Sequence, residues 1–266
     1  MTMGVVDDVA EFEQQRPRLF GVAYRMLGEA SEAEDVVQDA YLRWRSGHGP
    51  VQTPAAWLTT VVTNLCINRL TSARARRERY VGPWLPEPVA TGNDPQELVE
   101  RRDTVSLGFL VLMEKLTPPE RAVFVLREAF GYTHRDSGEV LGIDEGHARQ
   151  LYHRALGRLG DERRRFDARP ADGTKLVERF IAATVDGDVQ GLEAILTEDA
   201  ALWADGSGKA IAAREPIFGR SNAAHYLAGL ASSPRARTAR LSVIEVNTTL
   251  AVLVYESGTL SAVLVP

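Results

Sequence analysis

The chain has 266 residues, 44% of them hydrophobic and 25% charged, and a formal net charge of −5. That length accommodates one to three domains, and the composition is that of a folded globular protein rather than a disordered or fibrous one. No apolar run is long enough to form a membrane-spanning helix, and a lone cysteine, Cys66, excludes an internal disulfide and a multi-thiolate zinc site.

The first fifteen residues, MTMGVVDDVAEFEQQ, are acidic and lack the basic-then-apolar layout of a signal peptide, so a cytoplasmic protein is expected. A first helix is expected over about 8–27, with Phe12, Leu19, Phe20, Ala23, Tyr24 and Leu27 at three-to-four spacing and Gly28 as its stop. Ser31-Glu32-Ala33-Glu34 reads as a capping box that opens a second helix, which runs to about Ser46 on an apolar stripe of Val36, Val37, Ala40, Tyr41 and Trp44. Its acids Glu32, Asp35 and Asp39 share one face. Thr53-Pro54 opens a third helix, with Trp57, Leu58, Val61, Val62, Leu65, Cys66 and Leu70 turned inward. Past the linker around Trp84, Asp94-Pro95 and Thr117-Pro118 each open a further helix. The stretch 122–159 then reads as a helix-turn-helix: a helix to Phe130, a break at Gly131, a short helix from Thr133 to Leu141, a tight turn at Gly142-Ile143-Asp144, and a long second helix. From about residue 171 two short helices, 172–186 and 188–196, precede the strand-like segments ALWADG, RLSVIEV, LAVLVYE and TLSAVLV, an α+β pattern after an all-helical front.

The mean charge conceals patches. Residues 29–41 carry five carboxylates and no base, residues 69–79 carry five arginines against one glutamate, and 149–165 is again arginine-rich. One acidic face and two basic ones fit a protein partner and two contacts with a polyanion, because clustered cations on DNA release counterions. In the helix-turn-helix, His147, Arg149, Gln150, His153 and Arg154 are the candidate base readers, over an inner stripe of Ala148, Leu151, Ala155 and Leu159. On the third helix, Arg69, Arg74, Arg76 and Arg77 are candidates to hold phosphates, and Asn64 and Asn68, which look buried, are candidates to hydrogen-bond bases. The five histidines are scattered with no metal-binding spacing, so neither a metal nor a cofactor is expected.

The blocks SEAEDVVQDAYLRW, TPAAWLTTVVTNLCINRL, LTPPERAVFVLREAFGYTHRDSGEVLGI and ARQLYHRAL, in this order, closely resemble regions 2 and 4 of extracytoplasmic-function (ECF) sigma factors, the specificity subunits of bacterial RNA polymerase, over about residues 10–165. The resemblance implies that the second helix docks on core polymerase at the β′ subunit through Asp35, Gln38 and Asp39. It also implies that the third helix captures and opens the proximal promoter element and that the recognition helix reads the distal one, with the β subunit as a further contact. The segment VERFIAATVDGDVQGLEAILTEDAALWADGSGK resembles the opening of a SnoaL-like (NTF2-type) domain, an α+β cone, as carried by the SigJ-like group of these factors. That group has a Trp-Leu-Pro linker motif, present here as Trp84-Leu85-Pro86. It also has an Asp-Gly-Gly-Gly-Lys motif, nearly matched by Asp205-Gly206-Ser207-Gly208-Lys209. Its third pattern, Asn-Pro-Asp-Lys-Leu, is absent, so the C-terminal domain is expected to be tailless or cut short.

The expected organisation is a region 2 domain (1–80), a linker (81–95), a region 4 domain (96–168) and a regulatory SnoaL-like domain (169–266). The regulator is expected to contact the sigma domains within the chain, through Trp84, Leu85, Pro86, Asp205, Gly206, Gly208 and Lys209. A different class remains open: a stand-alone helix-turn-helix regulator whose last domain senses a ligand or works as an isomerase or cyclase. Asp199, Asp205 and His225 are the acid–base candidates there, but no base with an orienting partner is legible, so no catalytic residue is assigned.

Overall fold

The structure, a computed structural model, describes residues 3–47, 51–77, 85–90, 106–160, 173–206, 213, 215–232, 238–247 and 249–265. The side chains of 3–8, 73–77 and 173–174 are outside that description. The chain divides into two compact units, one of Met1–Arg79 with Asn93–Asp167, the other of Tyr80–Gly92 with Ala168–Pro266.

The first unit is helical. α1 (Met3–Leu27), α2 (Ala30–Arg45) and α3 (Pro54–Arg77) pack on one another around Phe12, Leu19, Met26, Val36, Ala40, Leu58, Val62 and Cys66, all buried. Burying such side chains is worth about 1.5–3 kcal/mol each, which is what fixes three helices whose own propensities are modest. The apolar periodicity is therefore realised as expected, but two local readings are corrected. α2 begins one residue before Ser31, its N-cap is Glu29, and no side chain caps it. The capping box fails because Ser31 already lies inside the helix and Glu34, the glutamate of the box, instead accepts from Arg16 of α1 at 2.9 Å. Trp57 and Val61, expected inside, are only half-buried, and Trp57 lies against Trp44 at 5.6 Å between ring centroids.

The same unit continues with α4 (Leu107–Met113), α5 (Pro118–Phe130), α6 (His134–Leu141) and α7 (Glu145–Leu159). Local chemistry sets the ends. The Glu120 carboxylate accepts from the Thr117 N–H at 3.0 Å, Asp136 from the Thr133 N–H at 2.9 Å, and Asp144 from the His147 N–H at 2.9 Å. Gly142 closes α6 with φ of 69°, a left-handed conformation that side chains disfavour. Gly138 has another reason: a Cβ there would stand 2.7 Å from the Ile143 carbonyl oxygen, so the turn closes only over a glycine. The helix expected to open at Asp94 falls outside the described residues.

α1 packs against α5, and α3 against α5 and α6. Arg121 of α5, 4% exposed, donates Nη1 to the Met26 carbonyl at 2.8 Å and Nη2 to the Met113 carbonyl at 2.6 Å, and pairs with Glu114 at 3.0 Å. It thereby adds a charged donor to terminal carbonyls of α1 and α4, where a helix runs out of its own N–H groups. Arg25 and Arg18 of α1 lie over the Phe130 ring at 5.3 and 5.7 Å.

The second unit is α+β. α8 (Gly173–Asp186) and α9 (Val189–Ile195) are followed by the short antiparallel pair β1 (Ala201–Leu202) and β2 (Ile217–Phe218), then α10 (Arg220–Ala231). The antiparallel sheet β3 (Arg240–Val246), β4 (Thr249–Glu256) and β5 (Thr259–Leu264) comes last. Ser257 and Gly258, both at positive φ, form the two-residue turn between β4 and β5, which matches the twist of a hairpin. The core joins Phe180, Ala183, Leu192, Ala224, Leu227 and Ala228 with Leu202 and Leu264. The sequence pattern did not give α10: its apolar face is mostly alanine, a weak periodic signal.

Candidate nucleic-acid interface

α7 is built to present one face. Ala148, Leu151, Ala155 and Leu159 are buried, and His147, Arg149, Gln150, His153 and Arg154 are all exposed, as their spacing predicts. The structure adds how some of them are held. Arg149 donates to Glu145 one turn back at 2.7 Å. Arg154 and Arg158 approach the buried Glu120 carboxylate at 3.9 and 3.4 Å, so one carboxylate both caps α5 and anchors the basic side of α7. Tyr152, which the sequence reading passed over, donates its hydroxyl to Glu128 at 2.5 Å, carries the Arg127 guanidinium 4.8 Å over its ring, and receives the His134 ring edge-on at 5.4 Å. Burial first, then the charges of Arg127 and Arg149, hold the His134 imidazole below its ordinary pKa. The partners of Tyr152 come from two other helices, α5 and α6, and no linear spacing announces them.

On α3 the polar stripe is corrected. Asn64 and Asn68 are exposed rather than buried; among the described side chains of this helix the buried polar ones are Thr59 and Thr63. The two asparagines lie four residues apart and share a face open to solvent, where amides can meet bases. Arg69 is placed differently from the expectation. Its Nη1 donates to Glu32 at 2.9 Å and its Nη2 to Asp39 at 3.0 Å, while Asp35 is 3.7 Å away. Although partial burial opposes it, hydrogen bonds to Glu32 and Asp39 raise the guanidinium pKa further above its already high value. Cys66, enclosed beside it, has its thiol pushed up by burial and so is unreactive. Of the α2 residues, Asp35 and Gln38 are exposed and Asp39 is half-buried. The side chains of Arg74, Arg76 and Arg77 lie outside the described residues.

Within the second unit, the Leu85 N–H donates to Asp205 Oδ2 at 3.3 Å, and Pro86 is buried. Asn247, itself buried and at φ 49°, accepts from the Val89 N–H through Oδ1 at 2.9 Å and donates its own N–H to the Val89 carbonyl at 3.0 Å. Ala90 bridges to Val246, so residues 85–90 run as an extended strap at the end of β3. Trp84, Gly208 and Lys209 fall outside the described residues; Gly206 is half-buried. Asp199 is exposed, and the His225 Nδ1 lies 2.8 Å from the Ser221 carbonyl. Among the described residues no cluster of His, Cys, Asp or Glu is fit to hold a metal ion, and no helix is long and apolar enough to cross a membrane.

Two family models match the helical unit: Sigma-70 region 2 over residues 12–76 and Sigma-70 region 4 over residues 107–159. The ECF RNA polymerase sigma factor SigJ of Mycobacterium tuberculosis is 38% identical over 227 residues, which is 84% of this chain and 73% of that one. The chain belongs to the ECF RNA polymerase sigma factors. The probable ECF sigma factor SigI of the same organism is 34% identical to this sigma factor over 191 residues, 70% of this chain and 66% of that one. The crystal structure of Mycobacterium tuberculosis SigJ superposes with a TM-score of 0.75 at 30% identity, covering 97% of this chain and 95% of that one. The likeness therefore extends beyond the helix-turn-helix into the α+β unit of this sigma factor.

Proposed function

We propose that this sigma factor binds core RNA polymerase through α2, with Asp35, Gln38 and Asp39 facing the β′ subunit, and that its region 4 half contacts β. α3 takes the proximal promoter element as it opens, with Asn64 and Asn68 on the bases and Arg74, Arg76 and Arg77 on phosphates. α7 reads the distal element through His147, Arg149, Gln150, His153 and Arg154. The observation that carries the reading is the exposed basic and amide face of α7, standing on a buried Ala-Leu-Ala-Leu stripe at the far side of a tightly capped turn. Melting asks for no covalent chemistry; a protein repays the few kcal/mol of unpairing by stacking and hydrogen-bonding the displaced bases. The chain acts in the cytoplasm beside its polymerase and catalyses no reaction of its own.

The α+β unit regulates the sigma domains in cis. Supporting this, the Leu85-Pro86 half of the linker motif is tied to Asp205 of the second motif, so the connection between the two promoter-reading domains is part of the regulatory unit. The proposed domains are 1–80, a linker 81–95, 96–168 and 169–266. The test is a purified transcription system. The full chain is expected to bind core polymerase and direct initiation, and Arg149→Ala to weaken distal-element recognition by about 1–3 kcal/mol with core binding intact. Failure of the full chain to bind core sinks the reading. For the regulatory part, Asp205→Ala combined with Asn247→Ala is expected to change promoter output, and unchanged output would make the α+β unit a passive appendage.

A further inference from the structure

α2 carries Glu32, Asp35, Gln38 and Asp39 on adjoining rows of one side, and they are not equivalent. Glu32 and Asp39 stand seven residues apart, two turns, or roughly 10 Å of helix rise. Arg69 of α3 reaches both, spending a different guanidinium nitrogen on each, at 2.9 and 3.0 Å, with the Glu32 backbone carbonyl at 3.4 Å from Nη1. Its side chain is 26% exposed, against 67% for Asp35, which it only approaches at 3.7 Å. Gln38 is exposed. A guanidinium so engaged is a poor phosphate contact: to reach DNA it must leave two carboxylates, and those carboxylates repel the incoming phosphate.

We infer that Arg69 is a positioning residue of the docking face rather than a DNA contact. It fastens Glu32 and Asp39 to α3, fixes the rotation of α2, and so sets Asp35 and Gln38, the more exposed members of the docking face, beside an Asp39 held in place. The inference rests on the proposed docking of α2 on core. Three carboxylates within two turns repel one another, and a cation held among them offsets that repulsion while setting where each oxygen points. Only a planar fork with separate donors serves both ends; a lysine ammonium supplies the charge but not the geometry.

The two roles separate experimentally. The full chain, its Arg69→Met and Arg69→Lys variants, and an Asp35→Asn/Gln38→Ala variant are titrated with core polymerase, well below the melting midpoint of each. The salt dependence of promoter binding by each holoenzyme is then measured. Arg69→Met leaves α2 more negative, which by charge alone strengthens attraction to a basic partner, so a loss of core affinity reports geometry and not charge. The expected result is a loss of about tenfold or more in core affinity for Arg69→Met and only partial recovery with Arg69→Lys. The salt slope of promoter binding stays unchanged in both, because no phosphate contact has been removed. Unchanged core affinity in Arg69→Met overturns the inference. So does a salt slope reduced by about one with Arg69→Met and restored by Arg69→Lys, the signature of a phosphate contact. If Arg69→Met does not fold, the Arg69→Lys titration decides, since a phosphate role tolerates lysine and the fork does not. If Asp35→Asn/Gln38→Ala leaves core affinity intact, the docking reading itself falls and the inference with it; if that variant weakens core binding and neither Arg69 variant does, only the inference falls.

Discussion

Replacing Arg121 by methionine tests how the helical unit is held together. The side chain is 4% exposed and makes two charge-assisted hydrogen bonds, to the Met26 carbonyl at 2.8 Å and the Met113 carbonyl at 2.6 Å. Hydrogen bonds involving a charged group contribute about 1.5–3 kcal/mol each. The two losses are unequal. The Met113 carbonyl also accepts from the Leu116 N–H at 3.0 Å and keeps that partner, so the Met26 bond is the larger loss. Glu114, 25% exposed, is open to water when the Arg121 charge is removed. Methionine retains most of the apolar stem volume, which keeps the cavity term small. The expected destabilisation is therefore about 2–4 kcal/mol, well short of two full bonds plus a broken buried pair. Equilibrium urea unfolding, with amide exchange read separately across α1 and α5, measures it. Arg121→Lys should fall between, since an ammonium reaches one carbonyl but not both. A loss below about 0.5 kcal/mol for Arg121→Met would show that the carbonyls of α1 and α4 are satisfied without it and would refute the reasoning.

Three further outcomes follow from local geometry. Gly138→Ala drives a methyl to 2.7 Å from the Ile143 carbonyl, so it should cost about 1–3 kcal/mol and lower distal-element affinity through the displaced α7; wild-type binding in a gel-shift series would contradict this. Asn247→Ala removes the side-chain acceptor for the Val89 N–H and places an alanine at φ 49°, so hydrogen exchange at Val89 should speed up about tenfold or more while α1–α3 are unaffected; unchanged exchange would show that the strap is held elsewhere. The Asp136 carboxyl is held below the usual carboxylate range by hydrogen bonds from the Thr133 hydroxyl and then the Thr133 N–H. Its folded pKa lies below its unfolded one, so the stabilisation is present at neutral pH and fades as the pH falls through the folded value. Asp136→Asn should flatten that acid limb in a series of melting curves, and an unaltered acid limb would exclude the cap as its source.

Much of the helical unit was legible in the sequence because its determinants are local. Thr133 with Asp136, Thr117 with Glu120, and Gly142 each act on backbone groups within three or four residues, and the Ala148-Leu151-Ala155-Leu159 stripe shows its period directly. From these come the helix-turn-helix and its exposed polar face, while the resemblance to sigma regions 2 and 4 rests on the four ordered sequence blocks. Tertiary structure decided what distance along the chain conceals. Arg69 has the spacing of a phosphate contact, yet it meets carboxylates 30 and 37 residues away. Asn64 and Asn68 sit on a helix with a broad apolar arc, and only packing reveals which edge stays wet. Glu120 looks like a simple cap until Arg154 and Arg158 converge on it, and Arg121 looks like a surface charge until two helix ends close over it. The Leu85–Asp205 contact spans 120 residues, a separation at which pattern carries no information and only the fold brings the two motifs together. The physical reason is the same throughout: backbone groups choose partners nearby in sequence, whereas charged side chains on long stems choose whatever the packed core leaves within reach.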